Sequence, residues 1–223
     1  MKRILFILLT LFSANSFAQK DSLQLGDSYW EDQIYMNISY NVLKNQPDEI
    51  RTSGFSYGFS IGYIKDIPFT KRGNISLGVG LGYGFDSFNH GLKITGTKES
   101  QIFEVDTESL FNTFKQHTIE MPIQFRWRTS NAVTYSFWRV YTGVSIQYNL
   151  YNGFSNSTDA GNTKLTNISA FNNWQTALTL SAGYGTSNFY VSYGLSSIFK
   201  NATLNGNVID TKILKLGLSF YLL

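Results

Sequence analysis

The sequence predicts an all-β protein, an eight-stranded antiparallel up-and-down transmembrane β-barrel. Three observations lead there. Apolar and polar residues alternate with period two through eight separate segments. The joins between those segments alternate between short and long. Aromatic residues gather at the two ends of the apolar faces.

Composition points the same way. Of 223 residues, 15% are charged and 16% aromatic, with 18 Phe, 14 Tyr and 19 Gly. An average soluble domain carries about 25% charge. Cysteine is absent, which excludes disulfide frameworks, thiolate metal sites, cysteine nucleophiles and a lipid anchor on cysteine. Two histidines, His90 and His117, are too few for a multi-histidine metal centre. The net charge of +3 falls to +1 once Lys2 and Arg3 are assigned to a leader, so no nucleic-acid footprint is expected.

Residues 1–18 read as a signal peptide: Lys2 and Arg3, an apolar run from Ile4 to Phe12, then Ser16-Phe17-Ala18 before cleavage. Residues 19–32 read as a short periplasmic segment and 33–223 as the barrel. No later stretch has the ~18 consecutive apolar residues of a membrane helix, so a spanning chain has to close into a barrel.

The first strand covers residues 33–42, with Ile34, Met36, Ile38, Tyr40 and Val42 on one face. The second, 55–63, sets Phe55, Tyr57, Phe59, Ile61 and Tyr63 against Ser56, Gly58, Ser60 and Gly62. The third, 75–86, is the clearest: six large apolar residues face one way, and Ser76, Gly78, Gly80, Gly82, Gly84 and Asp86 the other. A helix would scatter those six, whereas a strand aligns them. The bare face suits a crowded lumen and is hard to reconcile with a secreted barrel that binds an apolar ligand. The remaining strands are 119–128, 138–150, 174–184, 189–196 and 214–222, each with the same alternation. About ten residues, at about 3.3 Å each and about 40° of tilt, span roughly 25 Å of apolar band.

Joins 69–74, 130–135 and 185–188 are short, whereas 43–54, 87–116, 151–172 and 200–212 are long. Short turns are periplasmic in outer-membrane barrels, so both termini are expected in the periplasm and the long joins outside. The Ser, Thr and Asn of residues 153–172 read as an exposed, mobile loop. Glu99, Glu104, Asp106 and Glu108 read as a solvated acidic loop, and both histidines as solvated loop or interface residues.

One aromatic girdle comprises Tyr63, Trp127, Trp138, Tyr184, Phe189 and Phe220, and the other Tyr40, Phe55, Tyr83, Phe85, Tyr148 and Trp174. Lys215, Gly217, Phe220 and Leu222 at the chain end have the spacing of the signal read by the barrel-assembly machinery. The interior list contains Glu120, Gln124, Arg126, Arg128, Arg139, Tyr141 and Lys215. Charges inside so narrow a barrel have to be paired, and Glu120 with Arg126 or Arg139 is the expected pair. The cluster reads first as a structural plug and second as a docking or gating site. No phosphate loop, dinucleotide fingerprint or calcium loop is present, so no cofactor is expected, and no serine shares a strand face with His117.

Particular residues also resemble a family. Glu31-Asp32-Gln33-Ile34-Tyr35, Gly54 to Tyr63 with Asp66-Ile67-Pro68, and Lys71-Arg72-Gly73-Asn74-Ile75 are three stretches. Ile119-Glu120-Met121-Pro122-Ile123-Gln124-Phe125-Arg126-Trp127-Arg128-Thr129-Ser130 is the most distinctive, followed by Phe137-Trp138-Arg139-Val140-Tyr141-Thr142-Gly143. Leu180-Ser181-Ala182-Gly183-Tyr184 and Lys215-Leu216-Gly217-Leu218 complete the set. Together they resemble the PorT family of Bacteroidota outer-membrane β-barrel proteins. The resemblance implies a non-enzymatic accessory of type IX (Por) secretion and gliding, with outer-membrane lipid, the barrel-assembly machinery and secretion-system proteins as partners. Alternatives are a small structural or adhesive barrel working through its outer loops, or a lipid-modifying barrel enzyme.

Overall fold

Period-two alternation gives each long strand one apolar face and one small or polar face. The chain satisfies both by closing into a ring with the apolar face outward. The computed structural model describes residues 31–50, 54–97, 101–106, 111–129, 138–158, 161–200 and 202–222. The predicted signal peptide, residues 19–30 of the predicted lead-in, the 130–135 turn, Glu99 and Glu108 lie outside the described residues.

The strands are β1 (Gln33–Lys44), β2 (Tyr57–Pro68), β3 (Ile75–Asn89), β4 (Leu92–Gly96), β5 (Gln101–Val105), β6 (Phe111–Arg128) and β7 (Trp138–Thr158). They continue with β8 (Gly161–Thr166), β9 (Trp174–Tyr184), β10 (Ser187–Gly194), β11 (Thr203–Leu204), β12 (Asn207–Val208) and β13 (Lys212–Leu222). Eight of them form a closed antiparallel ring in the order β1-β2-β3-β6-β7-β9-β10-β13, with β13 pairing back to β1. Closure leaves no open barrel edge for another chain to extend. One end of the barrel carries Gln33 and Leu222 and is called the terminal end. The other is the loop end.

Several strands run past their predicted limits, although β9 keeps its predicted bounds and β10 stops at Gly194, two residues short. β2 continues to Pro68, which puts Asp66 on the lumen face, in phase with Ser60 and Ile64. β6 and β7 extend toward the loop end to 18 and 21 residues. Between His117 and Thr118 the β6–β7 register shifts: Thr118 pairs with Asn149 but His117 pairs with Tyr151, leaving Leu150 as the extra residue of a bulge. Leu150 and Tyr151 are consecutive exposed residues, and beyond them the inward positions are Asn152, Phe154 and Asn156. The alternation of residues 138–150 therefore breaks at 150 because its phase inverts, while the strand itself continues.

Above the bulge the interior changes character. Leu43, Ile50, Phe88, Leu92, Ile94, Phe103, Phe114, Phe154, Ile168, Phe171, Ile198 and Phe199 belong to one buried apolar cluster at the loop end. Phe114 lies 5.1 to 5.6 Å from the rings of Phe154, Phe171 and Phe199. The β4–β5 hairpin, β8 with the segment after it, and the β11–β12 hairpin all add to this cap. The described residues of 153–172 are thus not simply the exposed loop that their Ser, Thr and Asn content suggests. Phe154, Ile168 and Phe171 anchor them in the cap, Asn156 is buried, and Asn162, Thr163 and Lys164 are exposed. Asp106 is likewise not a solvated acid, since it accepts hydrogen bonds from the amides of Asn112 (2.6 Å) and Asn156 (3.0 Å).

Candidate functional site

The lumen holds the protein's densest chemistry. The lumen face of β3 is built of glycines, and they make room for larger side chains from across the barrel. A Cβ at Gly82 would fall on the Tyr35 hydroxyl, and one at Gly62 would meet the same ring at 2.6 Å. Tyr35 uses that space to donate a hydrogen bond of 2.7 Å to Glu120 Oε1. Glu120 therefore does not pair with Arg126 or Arg139 as expected. Those guanidiniums lie closer to the terminal end, where Asp66 and Glu31 reach them.

Five ionised side chains form that terminal cluster. Asp66 bridges two arginines, at 2.9 Å to Arg126 Nη1 and 2.7 Å to Arg128 Nη2. Glu31 bridges two as well, at 3.0 Å to Arg128 Nη1 and 2.7 Å to Arg139 Nη2. Arg128 is shared between them, so the cluster is one chain: Arg126, Asp66, Arg128, Glu31, Arg139. All five side chains are essentially without solvent access. Arg126 also donates to the Gln33 side chain, and Ser76 donates to Asp66 at 2.6 Å. The guanidinium of Arg126 stacks 4.3 Å from the Tyr141 ring, which meets Tyr221 edge-on at 5.1 Å. Fixed partners of this kind are what a buried charge requires, because removing one strands the other in a dry interior.

Lys215 lies apart from the arginines. Toward the loop end it pairs with Asp86 at 2.7 Å, and Asn41 donates to the same carboxylate. Gln124 is buried in the lumen, with its side-chain oxygen unbonded. The predicted interior cluster is therefore three groups: the arginine chain, the Tyr35–Glu120 pair and the Lys215–Asp86 pair. Among the described residues the formal charges of the lumen side chains balance, with Arg126, Arg128, Arg139 and Lys215 against Glu31, Asp66, Asp86 and Glu120. Glu31 and Asp66 were missing from the sequence reading. Continuing the alternation two residues before β1 and three past Tyr63 places both on the inward face.

The outward surface carries the predicted girdle residues. Trp138 pairs across the strands with Tyr184 near the terminal end, and Tyr148 with Trp174 near the loop end. Their ring centroids are 5.6 and 4.9 Å apart. At about 3.3 Å per residue and about 40° of tilt, the two pairs stand roughly 25 Å apart in height. Tyr40, Phe55, Tyr63, Tyr83, Trp127 and Phe189 are exposed on the outside, and Phe85 and Phe220 are half-buried there. Within the C-terminal pattern, Lys215 and Gly217 face the lumen side, whereas Phe220 and Leu222 lie on the alternate face.

The two histidines differ. His117 faces outward at the bulge, bonded through Nδ1 to the Tyr83 hydroxyl and flanked by the rings of Phe85 and Tyr151. His90 is not a solvated loop residue. It is buried in the cap beyond β3, stacked 4.0 Å from Phe114, with Nδ1 accepting the Leu92 N–H. Burial pushes its pKa down to about 3. At the terminal rim, outside the spanning strands, burial raises the Asp32 pKa, but hydrogen bonds from Lys65, the Asp66 N–H and Tyr63 outweigh it and hold the carboxyl below its ordinary value. Among the described residues neither histidine bonds a serine or threonine hydroxyl, and no group of acidic or histidine side chains is placed to hold a metal.

Comparison with solved structures finds distant barrels. One is the N-terminal β-barrel domain of OprF from Pseudomonas aeruginosa, at 11% identity and a TM-score of 0.32, covering 87% of this chain and all of that one. Another is Ail, the attachment invasion locus protein of Yersinia pestis, in complex with the heparin analogue sucrose octasulfate. It is 14% identical with a TM-score of 0.38, covering 86% of this chain and 99% of that one. No curated protein matches the chain. A family model does, over residues 17–200, and a closed eight-stranded ring with an apolar exterior and a charged, filled lumen is consistent with it: the chain belongs to the outer membrane protein beta-barrel domain family.

Proposed function

We propose that this outer-membrane barrel is a non-enzymatic, non-conducting accessory of the type IX (Por) secretion and gliding machinery, acting by protein docking with both termini in the periplasm. One observation carries the reading. The stretches that resemble the PorT family are scattered along the sequence, yet five of their charged residues meet at one place. Glu31 comes from the first stretch, Asp66 from the second, Arg126 and Arg128 from the fourth and Arg139 from the fifth, and all five form the arginine chain at the terminal end. That chain fills the lumen where a conduit would have to open, so cargo travels elsewhere and the barrel contributes surfaces. The proposed docking surface is the rim next to the chain, where the short turns and the lead-in emerge. The barrel-assembly machinery would take the nascent protein by its last strand, through Lys215, Gly217, Phe220 and Leu222.

The test is the culture-fluid proteome of a strain lacking the gene, beside a complemented control. Type IX cargo should vanish from the medium and accumulate in the periplasm. Cargo appearing outside at normal levels would overturn the secretion role. A second reading, an adhesive barrel, draws on the cap, which holds several loops as one packed unit. Loss of surface binding with normal secretion would select it.

A further inference from the structure

The bulge leaves a second surface that the docking role does not use. Beyond it, β6, β7 and β8 continue above the barrel beside the end of β3, which pairs with β6 as far as Asn89 and Thr113, and their outward face continues the outer wall. Its rows follow from the register. His117 lies beside Tyr151. One pair further from the bilayer, Lys115 lies beside Gly153, and Gly153 beside Thr166. One pair beyond that, Thr113 lies beside Ser155, and Ser155 beside Lys164.

Lys115 and Lys164 are exposed, and neither has an ion-pair partner among the described residues. They are two strands and one pair apart, about 12 Å between Cα atoms at ordinary sheet spacing, a span that two lysine side chains can close around one small anion. Between them the surface dips. The nearest atoms to a Cβ at Gly153 would be the Leu165 carbonyl and the Tyr151 ring and hydroxyl, at 3.5 Å or more. Thr113, Ser155, Ser157 and Lys164 line a shallow groove beside it, where the Thr113 hydroxyl donates to Asn89 at 2.7 Å, the Ser157 hydroxyl donates to Asn162 at 2.8 Å, and Ser155 lies next to Lys164. Among the described residues no carboxylate lies on this outward face: Asp106 points inward to Asn112 and Asn156, and Glu104 is on the separate β4–β5 hairpin. Immediately below stand Tyr83, Phe85, His117 and Tyr151, at the loop-end aromatic girdle. Aromatic belts sit at headgroup level.

We propose that Lys115 and Lys164, with the Ser155 hydroxyl between them, bind the phosphomonoester of a lipid headgroup in the leaflet next to the loop end. A monoester near neutral pH carries close to two negative charges and three acceptor oxygens. It matches two ammonium groups and one hydroxyl donor, with its acyl chains lying down the apolar wall below His117. The site requires the barrel to be in a membrane, which the family establishes. It requires neither a secretion role nor a particular orientation.

The test uses the full mature chain folded in maltoside micelles and titrated with lipid A carrying one phosphomonoester, followed by thermophoresis. The wild type should bind it about 30-fold more tightly than the dephosphorylated lipid A, from roughly 1 kcal/mol per lysine near a charged surface. The double variant Lys115→Gln, Lys164→Gln should lose the same about 30-fold preference. Lys71→Gln, on the turn at the opposite end, should bind as the wild type does. Equal affinity for the dephosphorylated lipid, or a double variant within twofold of wild type, would overturn the site. Tighter binding of phosphatidylglycerol would overturn the monoester assignment, and full displacement by millimolar inorganic phosphate would mean a free-ion site with no lipid role. Unchanged protein secretion in the double variant is expected, so this outcome and the docking proposal fail separately.

Discussion

At the scale of single residues the lumen is governed by pairing. Asp66 holds two guanidiniums at once, so its loss leaves Arg126 without a carboxylate and Arg128 with Glu31 alone. Asp66→Asn should destabilise the barrel by about 3–5 kcal/mol, the usual cost of leaving a buried charge without its partner. Urea unfolding in micelles, followed by tryptophan fluorescence, measures it. His90 gives the cap a pH dependence with a definite sign. Its folded pKa is about 3, below the ordinary 6.5, so the unfolded cap binds more protons between those values. The contribution is complete above pH 6.5 and is lost as pH falls toward 3, by about 1.4 kcal/mol per unit. Amide protection factors in β4 and β5, taken against the intrinsic exchange rate at each pH, should fall between pH 7 and pH 5, and His90→Phe should flatten that response.

At the scale of elements, much was legible in the sequence because alternation is a direct record of which way side chains point. All eight barrel strands show it. What was not legible came from positions where the record changes meaning. The extra residue at Leu150 inverts the phase, so a continuing strand reads as a loop. The cap has apolar residues inside, the reverse of the barrel below, and its core residues come from segments too far apart in sequence to announce a shared core. The two carboxylate partners of the arginines lie beyond the segments whose alternation is plain, Glu31 two residues before β1 and Asp66 three past Tyr63. The bulge can be tested directly. Deleting Leu150 joins Asn149 to Tyr151 in an unbroken pleat that keeps Phe154 and Asn156 inward. Strand circular dichroism, near-ultraviolet signals and amide protection in the cap should therefore all be retained. Replacing the β4–β5 hairpin by a short glycine linker should lower cap protection more, because it removes Leu92, Ile94 and Phe103, although the other cap phenylalanines stay in contact.

At the scale of the whole molecule the barrel is closed twice, by charge at the terminal end and by hydrocarbon at the loop end. Between them, Tyr35, Tyr141 and Tyr221 fill much of the middle. An eight-stranded ring is just wide enough for such a filling. Planar bilayers containing the pure protein should show no conductance steps, and the hairpin replacement alone should not create them, because the arginine chain still blocks the terminal end. Steps appearing only when Asp66→Asn is combined with that replacement would locate the two seals independently.

The shared core of the cap has a consequence for descent. Surface loops ordinarily diverge one at a time, each free to lengthen or change sequence without consulting its neighbours. Here Phe88, Phe103 and Phe114 from one connection, Phe154 and Phe171 from a second and Phe199 from a third meet within a single interior. A change in the volume of one is felt by the others. The loop end is therefore inherited as a unit, and lineages that remodel one connection should be found to have remodelled the rest.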